Sequence, residues 1–427
     1  MNRRDFVITS CTTLASSVLL RAMASAADSR PPRILLRSSW QTVNIGDIAH
    51  SPGVVQLLNE HIPDAEVFLW PSNIGDGVEE MLRKNFPKLQ FVRDTEAVKK
   101  AFADCDFMLH GSGPSLVAQK HVAQWRKETG KPYGVYGITL PSAVGKEDGT
   151  RRVALDAEGR EVLDDAKFLF FRDTISLKMA QEAKLKCPIM EFGPDGAFAV
   201  KLRNDEAALA FMKANGLEDG KFICAIPRLR NTPYWKIHGK DMTDVDRAKD
   251  KTNEEFKERD HVKLREALIA FVKETGLKVL VCPEDKSHMQ VGKEMLIDPL
   301  PVEIKRNTIW REKYWLTDEA LSTYVRSMAL LSMDMHSPIM AVGNGTPAIH
   351  CRFAQQTTKG QMWADIGLGE WLFDMDEVKD GAGITAALLA IAKDPAAAKT
   401  KVAKAMEFVR QRQKETMAIV ASAAKPA

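Results

Sequence analysis

Between residues 33 and 376, short apolar runs alternate with amphipathic stretches, and this rhythm constrains the chain more than any other feature. Residues 34–36, 66–70, 107–109 and 133–136 are near-continuous apolar runs of the length expected for strands buried on both faces. Residues 49–60, 77–85, 95–103 and 116–129, lying between them, carry helical periodicity. Strand followed by helix, many times over, predicts parallel, doubly wound sheets. The pattern turns polar and helical near residues 202–220, then restarts with an apolar run at 222–226. Two Rossmann-like domains follow, residues 31–202 and 220–376, with residues 377–427 forming a closing helix and tail that crosses back to the first domain.

Composition supports this division and removes some functions. A chain of 427 residues with 45% hydrophobic and 27% charged residues can bury large cores in two or three domains. A net charge of +3, with no aromatic-studded basic stripe, gives no footprint for nucleic acid. Beyond the N-terminal segment, Cys105, Cys187, Cys224, Cys282 and Cys351 are odd in number, lack metal-ligand spacing and sit in or beside apolar runs, so they read as small buried hydrophobes. No metal site is expected. Residues 234–261 are unusually charged and interrupted and read as a surface insertion, either a solvated loop or a lid.

The N-terminus reads as an address. Arg3-Arg4 is followed by a modestly apolar run to Leu20 and by Ala24-Ser25-Ala26, the pattern of a twin-arginine signal peptide over residues 1–26. The run is too short and polar to span a bilayer stably. The expectation is an exported, periplasmic protein.

Polar residues cluster directly after the predicted strands, the edge at which open α/β sheets bind ligands. Asn44, Gly46 and Asp47 follow the first run and precede a helix, where Asp47 can cap the helix or orient a hydroxyl. Gly111-Ser112-Gly113 lies at a strand-to-helix turn, where backbone N–H groups can face an anion or simply form a tight turn. Arg172-Asp173 ends another run; Arg172 can bind an anion or pair with Asp195. Arg228 and Arg230 follow residues 222–226 and suit phosphate or carboxylate. Glu284 and Asp285 can form a carboxylate site, though solvated strand-exit acids are the commoner case. Asp334-Met335-His336 ends the run at 329–333, and a short helix and Gly345-Thr346-Pro347 follow. No zinc-peptidase motif or nucleophile elbow is present in the sequence.

Taken in order, Asn44-x-Gly46-Asp47, Gly111-Ser112-Gly113-Pro114-Ser115-Leu116, Arg172-Asp173-x-x-Ser176, Pro194-Asp195, Arg228, and His336 ahead of Gly345-Thr346-Pro347 resemble the polysaccharide pyruvyl transferase family. The resemblance implies two Rossmann-like domains facing a cleft, as in GT-B glycosyltransferases. It also implies transfer of pyruvate from phosphoenolpyruvate to sugar hydroxyls of a polysaccharide, with phosphoenolpyruvate as donor substrate and no cofactor. His336 is then the general acid, its pKa near neutral, that protonates the donor's methylene carbon. Asp47 orients or deprotonates the hydroxyl. Asn44, Gly46, Gly111, Ser112, Gly113, Ser115, Arg172, Arg228, Arg230, Asp334 and Lys359 form the substrate-binding set.

The chain departs from the family pattern in one place. Family members carry Arg-x-His where this sequence has Asp334-Met335-His336, which puts a negative charge where a cation is expected. Export adds a second tension, because phosphoenolpyruvate is a cytoplasmic metabolite. A glycan-binding relative without transfer activity, or a glycosyltransferase using a nucleotide sugar, are the competing readings. The sequence leaves the oligomeric state open.

Overall fold

The computed structural model describes residues 30–144 and 151–426; the twin-arginine segment lies outside them. Nine strands belong to the first half: β1 (Arg33–Ser38), β2 (Glu66–Pro71), β3 (Gln90–Phe91), β4 (Phe107–His110), β5 (Tyr133–Ile138), the pair β6 (Ser142–Val144) and β7 (Arg151–Val153), β8 (Leu169–Phe171) and β9 (Met190–Phe192). Six belong to the second: β10 (Phe222–Ile226), β11 (Lys278–Val281), β12 (Thr308–Trp310), β13 (Ala329–Ser332), β14 (Ala348–Arg352) and β15 (Leu372–Asp374).

The strands form two parallel sheets, ordered β3-β2-β1-β4-β5-β8-β9 and β12-β11-β10-β13-β14-β15. Both reverse direction of growth beside their first strand, between β1 and β4 and between β10 and β13. Such switch points open a crevice at the carboxyl ends of the strands. The two Rossmann-like domains expected from the sequence are present.

Strand pleating explains the burial. Leu35 and Met108 face one side of the first sheet, where they pack with Val135 and Trp125. Ile34, Leu36 and Leu109 face the other side and join a core that continues through the second domain. All five described cysteines are free and buried.

The halves are joined by backbone as well as by side chains. Ile45 N donates to Glu284 O at 2.9 Å, and Lys286 N donates to Val43 O at 3.0 Å. Thr317 Oγ1 donates to Ile45 O at 2.9 Å. The closing segment is two helices, Ala382–Lys393 and Pro395–Ala423. The second returns to the first domain, where Arg412 Nη2 donates to Glu191 Oε2 and Phe192 O, each at 2.8 Å.

The charged stretch 234–261 is not a loop. Most of it lies in one helix, Asp244–Thr275, which runs without a break into the apolar segment at 262–275. Thr243 and Asp246 form a capping box at its start. Most of its charges form the solvated face, while Asp260, Lys263 and Arg265 are buried, and apolar burial is confined to the later turns. Among the described residues no helix is long and apolar enough to cross a membrane.

Candidate active site

A cavity of about 350 Å³ lies between the two sheets. Trp40, Asn44 and Asp47 line it from the loop and helix start after β1, and Pro114 and Val117 from the turn after β4. Arg228 enters after β10, and Asp334 and His336 after β13. Four strands flanking the two switch points thus supply most of the wall. Arg172, Lys359, Gln41, Thr232 and Tyr234 complete it.

The first-domain wall is a closed network. Asn44 caps the helix Ile45–His61, its Oδ1 accepting from Gly46 N at 2.7 Å and from Asp47 N at 3.2 Å. Asp47, relieved of capping, accepts from the Gln41 side-chain amide and faces the cavity. One turn on, His50 is fully buried, its Nδ1 2.9 Å from Ser112 Oγ and 3.1 Å from Asp195 Oδ1. Asp195 accepts from Arg172 Nη1 at 2.7 Å, and Arg172 Nε donates to Thr139 Oγ1 at 2.8 Å. Burial alone would raise the Asp195 pKa, but His50 and Arg172 overcome it and hold the carboxyl well below the usual range. Asp173 caps the helix Thr174–Glu182 and accepts from Ser176 N at 2.8 Å.

The second-domain wall is richer in acid. Asp334 is fully buried; it accepts from Arg228 Nη1 and from Met335 N, the latter at 2.8 Å, and lies 3.5 Å from Lys359 Nζ. Burial opposes its ionisation, yet Arg228 and Lys359 outweigh that cost and keep it well below the carboxylate range. Arg228 Nε is buried without a partner. Glu284, also fully buried, accepts from Ser337 N at 2.6 Å, and burial together with Asp334 pushes its pKa well above 4.5. Asp285 is fixed by Ser287 N at 2.7 Å and by His288 Nε2 at 3.1 Å. Backbone N–H groups of Glu284 and Asp285 point at His288 Nδ1, so that ring carries its proton on Nε2.

His336 opens the helix His336–Gly343 and lies directly over Gly46. A Cβ at position 46 would stand 2.3 Å from His336 Cβ, so the glycine admits a histidine from the other domain. His336 Nδ1 is 3.5 Å from Glu284 Oε1, its Nε2 has no partner, and its ring meets that of His50 edge-on with centroids 4.8 Å apart. Burial, then His50 and Lys359, push His336 well below the usual histidine range. That direction disfavours the protonated ring and runs against the near-neutral pKa expected from the sequence.

Other expectations change as well. Gly111 N donates to Arg37 O at 3.0 Å and Gly113 N to Gly137 O at 3.4 Å, so neighbouring strands consume the N–H groups that were to face an anion. The helix that was to begin at residue 116 starts only at Gln119. Ser112 serves His50 rather than ligand, and Trp40 Nε1 donates to Ser112 O at 2.9 Å over Gly113. Ser115 is half-buried and does not line the cavity. Arg230 is drawn away to Asp260, at 2.7 and 3.0 Å, and to Asp376 at 2.7 Å, with its guanidinium over Phe256. Gly46 lies beneath His336 and not at the cavity wall. Glu284 and Asp285 are buried, not solvated. His50 and His288 were not expected. Asp47-x-x-His50, two polar residues on one face of the first turns of that helix, was the available signal for the first.

With this geometry in place, comparison identifies first the fold and then the family. Solved structures sharing the two-domain GT-B-like arrangement include Anabaena HepE in complex with UDP and glucose, at 10% identity, covering 92% of this chain and 99% of that one with a TM-score of 0.54. UDP-GlcNAc 2-epimerase from Neisseria meningitidis bound to UDP-GlcNAc is 10% identical and covers 91% of this chain and 100% of its own, with a TM-score of 0.53. The sequence profile of polysaccharide pyruvyl transferases matches residues 44–352, and the chain belongs to that family. A search of curated proteins finds no significant match.

Proposed function

We propose that this protein transfers pyruvate, or a closely related anionic group, from an enol-phosphate donor such as phosphoenolpyruvate to sugar hydroxyls of a polysaccharide. One observation carries the reading: Asn44, Asp47, Arg172, Arg228 and His336, dispersed over the family's ordered motifs, converge with Lys359 on a single inter-domain cavity. Arg228, with Nε unpartnered, and Lys359 are the groups best placed to hold the donor's carboxylate and phosphate. Asp47 orients the acceptor hydroxyl. His336 enters the cavity from the second domain, beside the place the reacting centre would take.

The test is direct. The mature protein, incubated with phosphoenolpyruvate and oligosaccharides, should release phosphate and give a product with the mass and NMR signals of a pyruvate ketal. His336→Ala should abolish that product while the protein stays folded. Phosphoenolpyruvate should also raise the unfolding temperature.

A second reading is favoured by the pairing of Arg228 with Asp334 and of Arg172 with Asp195, which compensates two cations of the cavity. In that reading the protein binds glycan without transfer. An oligosaccharide-induced shift in unfolding temperature, with neither a shift by phosphoenolpyruvate nor any product, would select it. Export by the twin-arginine route remains part of the proposal, and cell fractionation checks it.

A further inference from the structure

We propose that His50, His336 and Asp47 form a binding site for one divalent transition-metal ion at the inner end of the cavity. The inference extends the transferase reading of the same cavity, and it is tested with metal alone, so the two can fail separately.

The two imidazoles carry the argument. His50 turns Nδ1 toward Asp195 Oδ1 and Ser112 Oγ, at 3.1 and 2.9 Å. His336 turns Nδ1 toward Glu284 Oε1, at 3.5 Å. Each ring thus has a carboxyl group behind it, the arrangement that orients metal-binding histidines and leaves the second nitrogen to the ion. In both rings that second nitrogen, Nε2, is buried and has no hydrogen-bond partner; the residues are 0% and 4% exposed. An unsatisfied buried polar atom is destabilising. Two of them, on rings whose centroids are 4.8 Å apart, are what a shared electrophile would satisfy.

Asp47 supplies the third ligand. One donor atom from each of Asp47, His50 and His336 can be chosen so that all lie within 4.8 Å of one another. Ligands about 2.1 Å from a common ion stand roughly 3.4 Å apart, so modest side-chain rotations close the set. Asp47 and His50 share one face of a single helix, while His336 comes from the other domain. The ion would therefore pin the domains together at the point where Gly46 allows His336 to approach.

Charge points the same way. In and beneath the cavity, Asp47, Asp195, Asp285 and Asp334 outnumber Arg172, Arg228 and Lys359. A donor carrying both carboxylate and phosphate gains from an added cation. Two imidazoles and one carboxylate suit zinc, manganese, iron or cobalt, and the side facing the cavity leaves a coordination position for a donor oxygen.

The experiment uses the mature protein stripped with chelator, then loaded with Zn²⁺, Mn²⁺ or Co²⁺ and freed of excess by gel filtration. One tightly held ion per chain is expected, with a visible Co²⁺ spectrum showing nitrogen ligation and a raised unfolding temperature. His50→Gln and His336→Gln should each remove the retained ion. Asp47→Asn, at a half-buried position outside the core, should weaken affinity at least tenfold and keeps the test sound where a histidine variant misfolds. No retained ion, or retention unaffected by folded variants at all three positions, overturns the proposal.

Discussion

The two walls of the cleft are built on the same plan and carry different electrostatics. Each sheet reverses beside its first strand and sends residues from two neighbouring strands to the cavity. On the first-domain side, Arg172, Asp195, His50 and Ser112 form a closed chain in which the cation is matched by one carboxylate. On the other side, Glu284, Asp285 and Asp334 face Arg228 and Lys359, and burial, with Asp334 beside it, pushes the Glu284 pKa well above the usual carboxylate range. Equal topology with unequal charge teaches that the fold fixes where a ligand goes, while strand-exit residues fix what it can be.

Acid should strain both halves through their buried histidines. Burial lowers His110 of the first domain to about 3, and His261 and His350 of the second to about 4 and about 3. Unfolding lets these rings take up protons below about pH 6.5, which the folded state refuses until pH 3 to 4. Stability therefore falls as pH drops through that window, by at most about 1.4 kcal/mol per pH unit for each ring. Glu284 opposes the trend, because burial raises its pKa in the folded state. Urea unfolding from about pH 7 to about pH 4.5 checks the slope; a flat profile would refute neutral burial of these rings.

Asp195→Ala would break the first-domain network. It leaves Arg172 charged and buried without its carboxylate, a loss of about 3–5 kcal/mol measurable by denaturant unfolding. Gly46→Ala attacks the junction of the two walls. The added methyl collides with His336, and a destabilisation of about 1–3 kcal/mol is expected. A neutral result would show that the walls separate freely.

Asp334→Asn sharpens the electrostatic contrast. Removing that charge frees Arg228 and Lys359, and phosphate or phosphoenolpyruvate should bind about tenfold tighter by calorimetry, a gain of ~1.4 kcal/mol. Unchanged affinity would mean that the second-domain wall does not hold anions. The smallest effect belongs to Arg412→Ala, which cuts the closing helix from Glu191 at a partly exposed pair and should cost less than about 1 kcal/mol.

Much of this was readable along the chain because strands buried on both faces must be apolar throughout. The two-domain division, the positions of Asp47, Arg172, Arg228 and His336, and the return of the closing helix all follow from such patterns. The misreadings have specific causes. Charge at 244–261 marks the solvated face of a helix, which resembles a loop until the buried residues farther along are included. Arg228 and Arg230 look equivalent two positions apart, yet Asp334 claims one and Asp260 the other. Both acid partners are distant in sequence.

By itself the sequence determined the alternation of strand and helix, the family, and which residues stand at strand ends. These are consequences of local periodicity and chain order. Only the tertiary structure decided that Gly46 exists to receive His336, that the amides of Gly111 and Gly113 are spent on neighbouring strands, and that His50 meets His336 across the domain boundary. The physical reason is that hydrogen-bond partners, desolvation and charge compensation depend on distances in space, and residues separated by nearly 290 positions in the chain become neighbours only when both sheets have formed.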